Sequence, residues 1–222
     1  SWEADVRITN AAGSSETPSI AMLGTTIHVA WMESRDANRE IYYKQSTNYG
    51  INWGSDIRLT NASGTSYWPS IAVSGTSVHV SWDDNRDGNN EIYYKRSTNT
   101  GATWGDDVRL TDALGTSLKT NISVSNLLVH VVWEDNRDGN YEIYYKHSSD
   151  GGMIWETDLR LTNATGRSGA PFMALSASNV HVIWEDNRDG NYEIYFKKNP
   201  TGNLVPIDST QSEIPSNFNL NQ

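Results

Sequence analysis

The sequence contains no cysteine, only 3 Phe and 6 Pro, and 17 basic residues against 27 acidic ones. Without cysteine there is no disulfide framework, no thiolate metal site and no thiol nucleophile. The net charge of −10 repels phosphate backbones and anionic headgroups, which excludes nucleic acid as a partner. No apolar run approaches the roughly 18 residues of a membrane span, so membrane insertion is not expected. The opening residues, SWEADVRITN, lack the basic start and apolar core of an export signal, and the chain reads as mature or trimmed. What the chain does have is 9 Trp and 11 Tyr among 222 residues, large side chains that offset an apolar fraction of only 36%. One or two domains with a real core are expected.

An internal repeat decides the architecture. Trp31, Trp82, Trp133 and Trp184 lie 51 residues apart, and His28, His79, His130 and His181 keep the same step. So do Arg35, Arg86, Arg137 and Arg188, and Glu40, Glu91, Glu142 and Glu193, with no insertion or deletion between copies. Within the second copy, alternation and turn residues predict strands over 70–74, 78–82, 91–97 and 107–111. Asp87-Gly88 suits a hairpin turn needing positive φ. No window shows a helical period. Four short antiparallel strands per unit of about 50 residues predict an all-β fold, the β-propeller, with one blade per repeat.

The turn between the third and fourth strands reads Ser46-Thr-Asn48-Tyr-Gly50-Ile-Asn-Trp53, Ser97-Thr-Asn99-Thr-Gly101-Ala-Thr-Trp104 and Ser148-Ser-Asp150-Gly-Gly152-Met-Ile-Trp155. This resembles the Asp box, or bacterial neuraminidase repeat, S-x-D-x-G-x-T-W of sialidase-like propellers, with Asn for Asp in two copies. The resemblance covers residues 1 to 198. It implies a structural box on the face opposite an active site: Ser and Asp or Asn bond turn amides, Gly takes positive φ, and Trp caps the blade edge. Sialidases normally have six blades. They grip a carboxylate with three arginines, attack with a tyrosine activated by a glutamate, and use an aspartate as acid. Here Arg, Tyr and Glu recur in every copy instead of converging once, which argues against that chemistry.

The fourth copy loses its box, since Asn199-Pro-Thr-Gly-Asn203-Leu-Val-Pro206 has no Trp. Trp2-Glu-Ala-Asp5-Val6-Arg7-Ile8-Thr9 matches Trp155-Glu-Thr-Asp158-Leu159-Arg160-Leu161-Thr162. The expectation is a four-bladed ring with blades over about 18–60, 69–111, 120–162 and 171–198, the last closed by the N-terminal strand 2–9. A piece of a longer propeller is the alternative. Small residues Ala21, Ala72, Ser123 and Ala174 suit the axis. Residues 199–222 form a tail resembling the linker before a type IX secretion C-terminal sorting domain. That resemblance implies an extracellular or cell-surface protein of a Gram-negative bacterium; an ordinary polar tail is the alternative.

The candidate site lies in the loops between second and third strands and between blades. Asp84 and Asp87, Asp135 and Asp138, and Asp186 and Asp189 cluster oxygens that suit calcium, although the intervening arginines offer a structural alternative. No cofactor is required; calcium is the candidate ion. Tyr67, Trp68, Tyr141 and Tyr192, with Asn89 and Asn140, form the candidate sugar surface, because rings stack on apolar sugar faces and amides take hydroxyls. Trp68 covering the ring's top is the competing reading. The four His are expected to be buried between blades, too far from the axis to share a metal. The functional reading is a secreted, non-catalytic binding module for a glycan or surface polysaccharide. A glycoside hydrolase remnant and a structural spacer or adhesin domain are the alternatives, and the oligomeric state is not set.

Overall fold

The computed structural model describes residues 2–176 and 179–199, and every regular element in them is a strand. The first sheet is β1 (Ser15–Leu23), β2 (Thr26–Asp36), β3 (Asn38–Ser46) and β4 (Ile57–Arg58). The second is β5 (Ser66–Ser74), β6 (Ser77–Asp84), β7 (Glu91–Ser97) and β8 (Val108–Arg109). The third is β9 (Ser117–Ser125), β10 (Leu128–Asp135), β11 (Glu142–Ser148) and β12 (Leu159–Arg160). The fourth has three strands, β13 (Ser168–Ser176), β14 (Asn179–Asp186) and β15 (Glu193–Asn199). Each sheet is an antiparallel meander in chain order. With no helix among the described residues, none is long and apolar enough to cross a membrane.

The inner strands pack neighbour to neighbour, β1 on β5, β5 on β9 and β9 on β13, so the sheets stand as successive blades around an axis. Alternation along each strand sends one set of side chains to each neighbouring blade. Ala30, Met32, Ile41 and Tyr43 of the first blade meet Ile71, Val78, Val80 and Trp82 of the second in one buried cluster. Ile92 and Tyr94 meet Ile122, Val129, Val131 and Trp133 in the next. The histidines lie on this pattern too, His79 Nδ1 bonding Tyr94 Oη at 2.7 Å and His130 Nδ1 bonding Tyr145 Oη at 2.5 Å.

The Asp-box turns tie one blade to the previous one. Ser97 Oγ accepts from the Gly101 amide at 2.9 Å and donates to Asn99 Oδ1, which in turn accepts from the Thr103 amide. Ser46 with Asn48 and Gly50, and Ser148 with Asp150 and Gly152, repeat the arrangement. Trp104 then meets Tyr43 of the preceding blade edge-on at 5.0 Å, and Trp155 meets Tyr94 at 4.9 Å. Trp53 has no such tyrosine among the described residues and packs with Val29, Trp31 and Tyr42. These tryptophans are staples between blades, more than the edge caps the sequence suggested. Gly101 sits at φ 86°, and a Cβ there would meet Tyr43 Oη at 2.1 Å, so both conformation and space demand glycine.

The expected completion of the last blade by the N-terminal strand is not made. Residues 2–10 contain no strand, and the fourth sheet ends at β15. Ile8 instead packs beside Val29, Trp31 and Tyr42 of the first sheet, and Lys44 Nζ donates to the Ile8 carbonyl at 2.6 Å. Lys95 makes the same bond to the Leu59 carbonyl at 2.5 Å. The N-terminal segment therefore stands beside the first sheet as the outgoing strand of a preceding blade would. The apolar face next to it in the chain claims Ile8, while β15 lies at the other end of the arc. The tail reading falls on residues 200–222, outside the described residues.

Candidate functional site

In each blade the second and third strands meet in the loop that carries the repeated charges. Asp84 accepts from Trp82 Nε1 at 3.2 Å, from Ser66 Oγ at 2.7 Å and from the Arg86 amide at 3.0 Å, while the Arg86 guanidinium bonds both its oxygens. Arg86 lies over the Tyr93 ring at 4.2 Å and reaches Asp107 at 2.6 Å. Asp135 and Arg137 repeat this with Trp133, Ser117 and Asp158, and Glu33 takes the carboxylate's place in the first blade. Burial alone would raise the Asp84 carboxyl, but the Arg86 and Ser66 bonds outweigh it and hold the carboxyl below its usual range. Asp87 and Asp138 accept from Tyr93 and Tyr144 and face Arg109 and Arg160; Asp189 accepts from Tyr195.

These carboxylates already have donors within the protein. The oxygens of Asp84, Asp135 and Asp186 are taken by guanidinium, indole and hydroxyl donors. Asp87, Asp138 and Asp189 belong to separate networks. Among the described residues no group of three or more His, Asp or Glu side chains is placed to hold a metal ion. Asn89 and Asn140 are also structural. Asn89 Nδ2 donates to the Ala113 and Gly115 carbonyls and Asn140 Nδ2 to those of Ala164 and Gly166, binding each hairpin to the connection into the next blade. Tyr67 is half-buried beneath Arg39, and Tyr141 lies beneath Arg167 at 4.6 Å. Tyr192 is exposed on the last blade and does not line the cleft described next.

Trp68 stands where a different repeated feature converges. The inner strands shift register between Glu16 and Ser19, Tyr67 and Ser70, and Gly169 and Phe172, with the matching irregularity in β9. At each shift one non-glycine residue adopts positive φ: Thr17 at 49°, Trp68 at 49°, Lys119 at 51° and Ala170 at 48°. Three of them precede proline, which normally holds its predecessor extended. Such a conformation costs about 1–3 kcal/mol per residue and persists only where the surroundings enforce it. The result is an axial mouth of about 420 Å³ lined by these residues with Ser70, Asn121 and Phe172. The backbone repeats around it but the side chains do not. The Asp boxes lie at the opposite ends of the strands.

Two acids support the floor of this mouth, and the sequence reading missed both. The Lys119 amide donates to Asp83 Oδ1 at 3.3 Å, and the Ala170 amide donates to Glu134 Oε2 at 2.8 Å. Glu134 pairs with Arg167 at 2.8 Å and with Lys119 Nζ at 3.6 Å. Asp83 is 1% exposed, and its Oδ2 has no partner among the described residues. Burial, with the nearby charges of Glu134 and Asp84, pushes its carboxyl well above the usual range. The signal available was position: Met32, Asp83, Glu134 and Glu185 immediately precede the repeated Glu33, Asp84, Asp135 and Asp186.

A raised carboxyl makes stability fall as pH rises. Below the ordinary carboxylate range Asp83 is protonated folded and unfolded alike; above it the unfolded chain ionises first, and the loss grows through the raised native value. Asp83→Asn is therefore expected to melt progressively higher than the parent as pH is raised from acid to neutral. Parallel melting profiles across pH would contradict that assignment.

The arrangement is similar to known propellers. Trypanosoma rangeli sialidase, solved in complex with sialic acid, matches 83% of this chain with 36% of its own, at a TM-score of 0.60 and 15% identity. The GH93 α-L-arabinofuranosidase of Fusarium graminearum, solved with arabinobiose, matches 84% of this chain with 63% of its own, at 0.60 and 14% identity. At such identities the likeness is one of fold, a sialidase-like β-propeller, and this chain spans only part of each. No protein-family model matches the sequence, and no curated protein is similar to it.

Proposed function

We propose that this chain is a carbohydrate-binding propeller module whose ligand sits at the axial mouth, with Trp68 as the stacking platform. The observation that carries the reading is Trp68 itself, 48% exposed on a strained backbone, at a mouth whose four equivalent positions hold Thr, Trp, Lys and Ala. A scaffold that repeats Trp, Arg, Asp and Glu at every 51-residue step but diversifies there has made one part of itself asymmetric. An indole beside Lys119 and Asn121 offers a face for a sugar ring and donors for its hydroxyls.

The reading is binding without catalysis. Arg86, Arg137 and Arg188 are held by carboxylates of their own blades, and Tyr93 and Tyr144 by Asp87 and Asp138, so neither type gathers at the mouth. Asp83 and Glu134 are fully buried beneath it and reach no sugar. Display outside the cell fits this reading, as the tail's resemblance suggests. The test is a glycan array probed with the whole chain in calcium and in chelator. Binding unaffected by chelator is expected; silence in both conditions would overturn the proposal.

A further inference from the structure

The fourth blade presents a face that every other blade buries. Ile194 is 69% and Phe196 57% exposed, while their equivalents Ile143 and Tyr145 are 0% and 1% exposed beneath the fourth blade. Phe172 and Ile183 extend the open surface, and β15 has no further strand beside it among the described residues. An exposed apolar edge strand of this kind is a template for pairing with another chain.

The polar groups of that blade lack the same partners. In the first three blades the repeated arginine reaches a second carboxylate, Arg35 to Asp56, Arg86 to Asp107 and Arg137 to Asp158. Lys44, Lys95 and Lys146 pair with those same aspartates. The strand glutamates Glu40, Glu91 and Glu142 each take an arginine from the fourth strand and the threonine two residues beyond it. Among the described residues Arg188 has only Asp186 as its ion-pair partner, Lys197 has no carboxylate, and Glu193 bonds only Asn191.

Residues 2–9 carry every missing group at the right spacing. Asp5 matches Asp56, Arg7 matches Arg58, and Thr9 matches Thr60, with Trp2 in place of Trp53. Residues 206–213 do not, since Pro206, Ser209, Gln211 and Glu213 occupy the corresponding positions. The chain's own segment is held at the other end of the arc, through Ile8 and Lys44 on the first sheet, and is otherwise loosely engaged: Trp2 is fully exposed and Arg7 bonds only its neighbours Thr9 and Asn10.

We propose that the open edge of the fourth blade receives residues 2–9 of a second copy of this chain, which pair with β15 as a fourth strand and bring Asp5 to Arg188 and Lys197, and Arg7 and Thr9 to Glu193. The association is head-to-tail: donor and acceptor surfaces differ, and the chain carries one of each.

The register fixes the test. Tyr43 pairs with Ile57 and Tyr145 with Leu159, which places Val6 opposite Phe196. The chain is free of cysteine, so Val6→Cys with Phe196→Cys introduces the two thiols alone. Disulfide-linked dimers or larger species on oxidation are expected. A link formed within one chain would overturn the proposal in favour of a self-closed ring, and no link in a folded variant would overturn it outright. The unmodified chain gives an independent reading by sedimentation across a wide concentration range. A mass rising above one chain, reduced to one chain by Arg7→Glu, is expected; a single-chain mass throughout contradicts the assignment.

Discussion

Replacing Asp135 by alanine is expected to destabilise the propeller by about 3–5 kcal/mol, the loss typical when one partner of a buried ion pair is removed. Asp135 is fully buried and receives Trp133, Ser117 and both the backbone and side chain of Arg137. Its removal leaves Arg137 with Asp158 alone, strands the Trp133 indole N–H and leaves the Ser117 hydroxyl only a 3.5 Å contact to Glu91 of the preceding blade. In a chain of this size that amounts to a fall in melting temperature of about 6–20 °C. The repeat supplies an internal control. Asp186→Ala removes the same residue from the last blade, where the side chain of Arg188 is 30% exposed against 22% for Arg137. Its effect should be clearly smaller. Equal losses in thermal or urea unfolding, or a loss at Asp135 below about 1 kcal/mol, would show that the network is not the pin described above.

Acid is expected to weaken the fold through two buried histidines. Burial, with Arg96 nearby, pushes the His79 imidazole down to about 4, and burial, with His147 nearby, pushes His130 down to about 4. Each ring is buried against a tyrosine hydroxyl between blades and stays neutral in the native state. A depressed native value contributes stability that is present above the unfolded value near 6.5 and is lost as pH falls through about 4. The drop from the ordinary value corresponds to roughly 3 kcal/mol per ring. Unfolding midpoints in urea should fall between pH 7 and pH 4, and the slope should flatten in a His79→Gln, His130→Gln chain. Asp83 acts in the opposite direction over this range but is common to both proteins, so the difference isolates the histidines. Coincident slopes would contradict the account.

The repeat made most of the scaffold legible. A 51-residue step shared by Trp, His, Arg and Glu points to the same unit in each copy, and the observed strands of the second copy fall on the expected ones, the first two longer and the fourth shorter. The β6–β7 hairpin is legible because alternation and the Asp-Gly turn are local signals. The partners of Asn89, the carbonyls of Ala113 and Gly115, lie across a blade junction and are not legible from the sequence near it. A count of carboxylate oxygens in the sequence leaves out their donors; Ser66 and Trp82 on two strands and Arg86 in the loop converge on Asp84. Closure was inferred from matching residues at 2–9, and the match is real, but sequence identity does not determine which of two equivalent edges a segment occupies. Trp68 was legible as the odd residue in its column. Its positive φ, the strain that marks the mouth, was not, because an X-Pro pair ordinarily signals extended backbone.

Strain at Trp68 also supplies the most direct test. Glycine tolerates φ of 49° where tryptophan does not, and relief of that strain offsets part of the lost half-buried packing. Trp68→Gly should therefore unfold within about 1 kcal/mol of the parent. If the mouth is the binding site, the same variant should lose glycan-array signal about tenfold or more, the effect of removing a central aromatic anchor. A stable Trp68→Gly chain that binds the array as the parent does would contradict the assignment of the mouth as the carbohydrate site.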